Sequence, residues 1–255
     1  MTPFILENPV YEINYLILPL IFLIGAIGGS FSHAFADGFI NEKTLFRRSQ
    51  CNKCKEIIIW YHLIPVINFL YLKGKCFFCN VKINIDLFLF EVFFGFLFVA
   101  YSIKFDFWNT VIFSLSSIFL GSIFETDRKK FIIHFPSLLI ILILSVLFNL
   151  IFYKNFNLIL EKCFIFTFSW LLIYFISYAY FLFRGVQGFG SGDKWLLAVI
   201  STLFTFYDVI FIFFLSCFIG SIYGIAKLIY VKENKNIKIP FGSFMCFVTF
   251  LYPLI

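Results

Sequence analysis

Long runs of aliphatic and aromatic residues, almost free of charge, recur from residue 15 to the carboxyl end of the chain. A bilayer core takes about 20 such residues per helix. Eight runs qualify: 15–34, 85–104, 109–126, 131–152, 160–183, 194–206, 208–230 and 240–255. The sixth is short, and it meets the seventh at a tight Tyr207–Asp208 junction. Composition agrees, with 62% hydrophobic and 13% charged residues and a mean hydropathy of +0.97, against about 45–50% and about 25% in soluble chains. The chain reads as an all-α polytopic membrane protein with about eight transmembrane helices. Residues 1–14 carry Glu7 and Glu12 and no Lys or Arg, so a basic signal segment is not expected and the first run reads as a retained anchor.

Orientation follows from the basic residues, which stay on the cytoplasmic side. Lys43, Arg47, Arg48, Lys53, Lys55, Lys73, Lys75 and Lys82 fall between the first two runs. Arg128, Lys129, Lys130, Arg184, Lys194, Lys227, Lys232, Lys235 and Lys238 fall on the same side if all eight runs cross, and only Lys104, Lys154 and Lys162 fall opposite. Both termini are then outside. The net charge of +6 belongs to this asymmetry and to anionic headgroups rather than to a nucleic acid.

Residues 35–84 are the only long polar segment. They contain "CNKC" at 51–54 and "CFFC" at 76–79. Each C-x-x-C turn offers two thiolates, and the two turns together make a tetrahedral zinc-ribbon set of four cysteines, Cys51, Cys54, Cys76 and Cys79. A pair of disulfides is the competing reading, and a reducing cytoplasm opposes it. Cys163, Cys217 and Cys246 stand in apolar runs and read as buried thiols.

Ionisable residues beside membrane spans are functional candidates. Asp127 ends the third run in "FETDRKKFII", and Asp193 opens the sixth in "GSGDKWLLA". The topology brings both to the cytoplasmic surface. Two close carboxylates can share one proton, so that one activates a water and the other acts as acid, as in an aspartyl protease. Gly190 and Gly192 lack side chains, so an extended substrate could approach the backbone beside Asp193, and a break in the helix is tolerated there. The plainer alternatives are a solvated charge cluster around Asp127 and a helix cap at Asp193. Glu91 needs a partner, Glu125 faces away from Asp127, and His33, His62 and His134 show no metal spacing. A transporter or scaffold bearing a zinc ribbon is a further alternative, but transporters concentrate polar groups near the midplane rather than at one surface.

Taken together, these motifs resemble the type IV prepilin peptidases, a GxGD-type family of membrane aspartyl proteases. The likeness runs through "GGSF" at 28–31, "RSQCNKCKEIIIWYHLIPVINFLYLKGKCFFC" at 48–79, Glu91 with Gly95, "TDRKKFII" at 126–133, "GFGSGDKWLLA" at 188–198 and "IPFGSF" at 239–244. The chain departs from the family pattern at His134–Phe135, where Pro-Asp or Pro-Asn is usual, at His33, and at Lys194–Trp195. The resemblance implies Asp127 and Asp193 as the catalytic pair and the four loop cysteines as zinc ligands. It implies removal of the basic leader of prepilins and pseudopilins at the bacterial inner membrane. It further implies methylation of the new amino terminus with S-adenosylmethionine. The corresponding division is an anchor over 1–34, a methylation-associated four-cysteine loop over 35–84 and a peptidase core over 85–255.

Overall fold

The computed structural model describes residues 15–41, 49–51, 53–152, 156–185, 188–230 and 238–255. Glu7, Glu12, Lys43, Arg47, Arg48, Lys154, Lys232 and Lys235, which bear on leader and orientation, lie outside them. The described helices are α1 (Leu18–Ile40), α2 (Ile67–Tyr71), α3 (Ile85–Lys104), α4 (Phe107–Lys130), α5 (Phe135–Phe152), α6 (Phe156–Arg184), α7 (Ser191–Ser201), α8 (Phe206–Tyr230) and α9 (Phe241–Leu251). Six of them, α1, α3, α4, α5, α6 and α8, are long and apolar enough to cross a membrane. The sixth and eighth expected runs correspond to α7 and α9, of 11 residues each. At about 1.5 Å per residue, each reaches only about half of a hydrocarbon core of about 30 Å. Helix α1 continues to Ile40, beyond the start of the expected loop at residue 35.

The chain forms two compact units, one ending at Ser122 and the other running over Ile123–Ile255. In the first, α1 packs along α3. Gly25 and Gly29 lie one turn apart on α1, and a Cβ there would come within 2.5 Å of the Phe94 carbonyl and 2.8 Å of the Phe90 carbonyl, respectively. The contact is therefore backbone to backbone, the small-xxx-small packing that lipid favours because it maximises dispersion contact. Helix α3 starts at Asn84, whose side chain accepts the Asp86 N–H at 3.1 Å. Asp106 serves α4 in the same way, accepting from the Trp108 N–H at 3.2 Å.

Glu91 sits buried on α3, and its partner is not the basic residue that a charge in a span suggests. Its Oε2 accepts the Val66 N–H at 2.8 Å, and the Ser30 hydroxyl and His33 add to its surroundings. Val66 has φ +62° and ψ −56°, and the Ile67 N–H donates back to the Pro65 carbonyl at 2.6 Å. That is a γ-turn of the rare, strained hand, here on a β-branched residue. A strained turn persists only where its surroundings over-determine it, and the carboxylate supplies that constraint.

In the second unit, the end away from the aspartates is held by Asp208. Its Oδ2 accepts from the Thr205 N–H at 2.9 Å and the Thr205 hydroxyl at 2.7 Å, capping α8. Its Oδ1 accepts from the Tyr252 hydroxyl at 2.6 Å. Lys162 of α6 donates to the Phe204 carbonyl at 2.7 Å. These contacts join α6, α8 and the turn after α9.

Replacing Glu91 by Leu should leave the Val66 N–H without its acceptor, a loss of about 1–3 kcal/mol. Limited proteolysis should then cut the 49–84 segment faster, while Glu91→Gln, which keeps an acceptor, should stay near wild type. Equal resistance of the Leu variant would show that the turn does not depend on this carboxylate.

Candidate active site and metal centre

Asp127 lies in the last turn of α4 and is buried. Its Oδ2 accepts from the Ser243 N–H at 2.7 Å and from the Ser243 hydroxyl at 3.0 Å. The same hydroxyl reaches the Phe124 carbonyl at 3.0 Å, so its one proton is shared between the two acceptors. Ser243 stands in the first turn of α9, inside the "IPFGSF" stretch. That stretch enters the site as a hydrogen-bond donor, a role that nothing in its residue pattern signals.

Asp193 is the third residue of α7 and also buried. Its Oδ2 accepts the N–H of Gly190, the N-cap, at 2.9 Å. Gly190 has no side chain to complete a reciprocal capping box. The helix-cap alternative is thus physically present, and it occupies one oxygen of the carboxylate. The two aspartates lie within each other's electrostatic reach, and both act on the fully buried Cys246 of α9. Cys246 is buried as expected, but beside the acid pair. Cys163 is exposed and Cys217 half-buried, which corrects the expectation of two more buried thiols.

Gly192 also has a packing reason, which its motif does not signal. Gly192 lies within α7 at an ordinary helical φ, and the described glycines with positive φ are Gly74 and Gly185. A Cβ on Gly192 would meet the Ile133 Cβ at 2.9 Å. A Cβ on Gly242 would meet the Ile133 Cδ1 at 2.9 Å and the Asp127 Oδ2 at 3.2 Å. The Ile133 side chain is therefore wedged between two glycines, one beside each aspartate. That wedge fixes the spacing of α4, α7 and α9 at the site. Gly190, by contrast, is exposed with φ −66° and ψ 155°.

The basic residues after Asp127 do not pair with it. Arg128 and Lys129 bind Glu125 instead, at 3.0 Å and 2.6 Å, one turn back on α4. The charge cluster that sequence alone allowed at Asp127 is real but centred on Glu125, leaving Asp127 to Ser243. His134, at the family's Pro position, closes the turn from α4 to α5. The Thr126 hydroxyl donates to the Ile123 carbonyl at 3.1 Å, so it accepts from the His134 Nδ1–H at 3.1 Å. Nε2 then accepts from the Ser137 hydroxyl at 2.6 Å. The residue preceding Asp127 is thereby tied to the start of α5.

In the other unit, the Sγ atoms of Cys51, Cys54, Cys76 and Cys79 all lie within 4.8 Å of one another, and can hold one metal ion. The two turns repeat one geometry. Lys55 N–H donates to the Cys51 carbonyl and Asn80 N–H to the Cys76 carbonyl, each at 3.0 Å. Lys55 and Asn80 take positive φ, +62° and +55°. Cys51 N–H donates to Glu56 and Cys76 N–H to Val81. The amides of Cys54 and then Lys53 pull the Cys51 thiol down to about 6. The Glu56 amide favours the Cys54 thiolate, but desolvation and the other cysteines outweigh it and hold Cys54 up at about 12. Four thiolates this close repel one another unless a cation joins them.

Gly192→Ala should lose stability through the clash with the Ile133 Cβ, by about 1–3 kcal/mol as overpacking does, and an Ile133→Gly background, which lacks that Cβ, should recover part of it. A thermal melt of the purified single and double variants reads this directly. No recovery would mean that the wedge does not set the spacing.

Residues 23–105 match the family described as Bacterial Peptidase A24 N-terminal domain, and residues 114–225 match the Type IV leader peptidase family. Among similar proteins, a Prepilin leader peptidase/N-methyltransferase of Vibrio cholerae is 29% identical, over 82% of this chain and 86% of its own length. One of Bacillus subtilis is 29% identical, over 88% of this chain and 89% of its own. One of Aeromonas salmonicida is 25% identical, over 78% and 68%. No solved structure matches the chain. With two adjoining family matches in order along the sequence and relatives aligned over most of their length, this chain belongs to the type IV leader peptidase family.

Proposed function

We propose that this chain removes the short basic leader from type IV prepilins and pseudopilins at a bacterial inner membrane and N-methylates the residue so exposed. The observation that carries the peptidase reading is that one side chain, Ile133, packs against Gly192 beside Asp193 and against Gly242 beside Asp127, which brings two separate motifs to one place. In this reading α7 and α9, with the apolar residues beside them, complete eight crossings. The four-cysteine loop of 35–84 and both aspartates then face the cytoplasm, and both termini face outside. Residues 1–34 are the anchor, 35–84 the methylation-associated loop and 85–255 the peptidase core.

The acid pair works as a dyad. Like charges held close retain one proton between them. Two donors from Ser243 favour the charge on Asp127, which takes a proton from the attacking water. Asp193 gives the shared proton to the leaving amine. The substrate strand runs along the exposed edge at Gly190, where the absence of a side chain leaves the backbone approachable, and past the half-buried Gly192. Ser243 and the Ile133 wedge keep Asp127 from relaxing into the charge cluster at Glu125.

The metal is a zinc ion with a structural role. A tetrahedron of thiolates at about 2.3 Å from zinc has edges of about 3.8 Å, and the Cys51 and Cys79 sulfurs are 3.7 Å apart. S-adenosylmethionine, when bound, supplies the methyl group for the second reaction. The names of the relatives join both activities, and that supports the same pairing here.

Asp127→Asn and Asp193→Asn should each lower leader release by about 10²–10⁴-fold or more, with zinc content and melting temperature unchanged. Incubation of purified enzyme with a precursor carrying a basic leader, then Gly, then an apolar run decides it. Near-normal cleavage by either variant removes that residue from the dyad. Elemental analysis should find about one zinc per chain, lost on changing any of Cys51, Cys54, Cys76 or Cys79 to Ser. A metal-free protein with four reactive loop thiols would rule out the zinc site.

A further inference from the structure

His62 stands on the short turn Trp60–Leu63 within the four-cysteine loop and is nine-tenths buried. Its tautomer can be read from its neighbour. The Asn68 Nδ2 lies 2.7 Å from the His62 carbonyl and must be the amide's donor end. That turns the Asn68 Oδ1, an acceptor, toward the His62 Nδ1 at 2.8 Å. Nδ1 therefore carries the hydrogen, and Nε2 is a bare lone pair. Among the described residues Nε2 has no hydrogen-bond partner. Leaving a buried acceptor unmet is unfavourable, and such a group in a native fold calls for a role.

The surroundings suit a cationic ligand. The ring is covered by Tyr61, with centroids 4.5 Å apart, and by Phe77, at 4.9 Å. Phe78 packs edge-on against Phe77 at 5.4 Å. Tyr61, Phe77 and Phe78 are each about half exposed. These half-exposed rings pack on the imidazole, and aromatic faces attract ammonium and sulfonium groups.

We propose that His62 is the proton acceptor of the methylation reaction, its Nε2 receiving a proton from the α-ammonium of the newly cleaved substrate. This rests on the methyltransferase reading given above. An α-amine is mostly protonated at neutral pH and has no lone pair to give until it loses that proton. The proton passes to Nε2. The freed nitrogen lone pair forms a bond to the methyl carbon of the sulfonium donor, the sulfur–carbon bond breaks, and its electron pair stays on sulfur as a neutral thioether. Nε2 then returns the proton to water. Asn68 acts as a positioning residue that keeps the lone pair on the outward nitrogen.

His62→Asn is the discriminating change, because the Asn amide can still donate toward Asn68 while nothing replaces the Nε2 lone pair. With full-length enzyme in lipid and a pilin precursor as substrate, methyl incorporation should fall by about 10²-fold or more. Leader release and zinc content should stay at wild-type levels. Asn68→Ala leaves the imidazole in place but frees its tautomer, and should also lower methyl incorporation without lowering leader release. A second measurement is independent of turnover. The chain has three histidines, so nitrogen NMR of histidine-labelled wild type can resolve Nε2 of His62 as unprotonated. It should shift on adding a leaderless pilin peptide with a free amino terminus and not on adding its acetylated form. Wild-type methylation by His62→Asn, or no shift, overturns the assignment. A wild-type enzyme that cleaves but transfers no methyl group removes the methyltransferase reading itself, and the proposal with it.

Discussion

A carboxylate at the edge of a lipid phase must find its hydrogen-bond donors within the protein, because hydrocarbon offers none. Asp127 meets this constraint through Ser243, which brings both a backbone N–H and a hydroxyl to one oxygen. The arrangement requires α9 to begin against the end of α4, and it requires Gly242, since a Cβ there would press on the Asp127 carboxylate. Gly192 accepts the other side of Ile133, so α7 is set against the same wedge. The position of Asp193 thus follows from the way Asp127 is satisfied.

The same rule governs the first unit. Glu91 is buried in α3 and meets the amide of a strained turn rather than a basic side chain. That contact, with Phe69 stacked on Phe88 at 4.4 Å, ties the polar loop to an apolar helix. Charge is handled differently at Glu125, which takes Arg128 and Lys129 on its own helix. By absorbing those cations it leaves Asp127 with neutral donors, and an aspartate without a permanent counter-ion can exchange protons with its partner.

Much of this was legible from residue types and spacing. The four cysteines were readable as one set because two C-x-x-C turns allow few other arrangements, and their sulfurs do come together. The two aspartates were readable because charge beside an apolar run is rare. Ser243 was not, since a serine in a membrane helix usually returns its hydroxyl to its own backbone, as Ser216 does to Ile212 at 2.7 Å. Nor was the packing at Gly192, where Ile133 approaches from a distant part of the chain.

The sequence by itself determined what is local or compositional: the apolar helices, the metal-binding turns and the two motifs bearing carboxylates. Each depends on residues near one another in the chain, so periodicity and spacing record it. The tertiary structure alone decided which groups answer each buried charge. Asp127 meets Ser243, Glu91 meets Val66, and the bare nitrogen of His62 meets no described partner. Such pairings are set by how helices pack, and packing joins residues that no spacing rule connects.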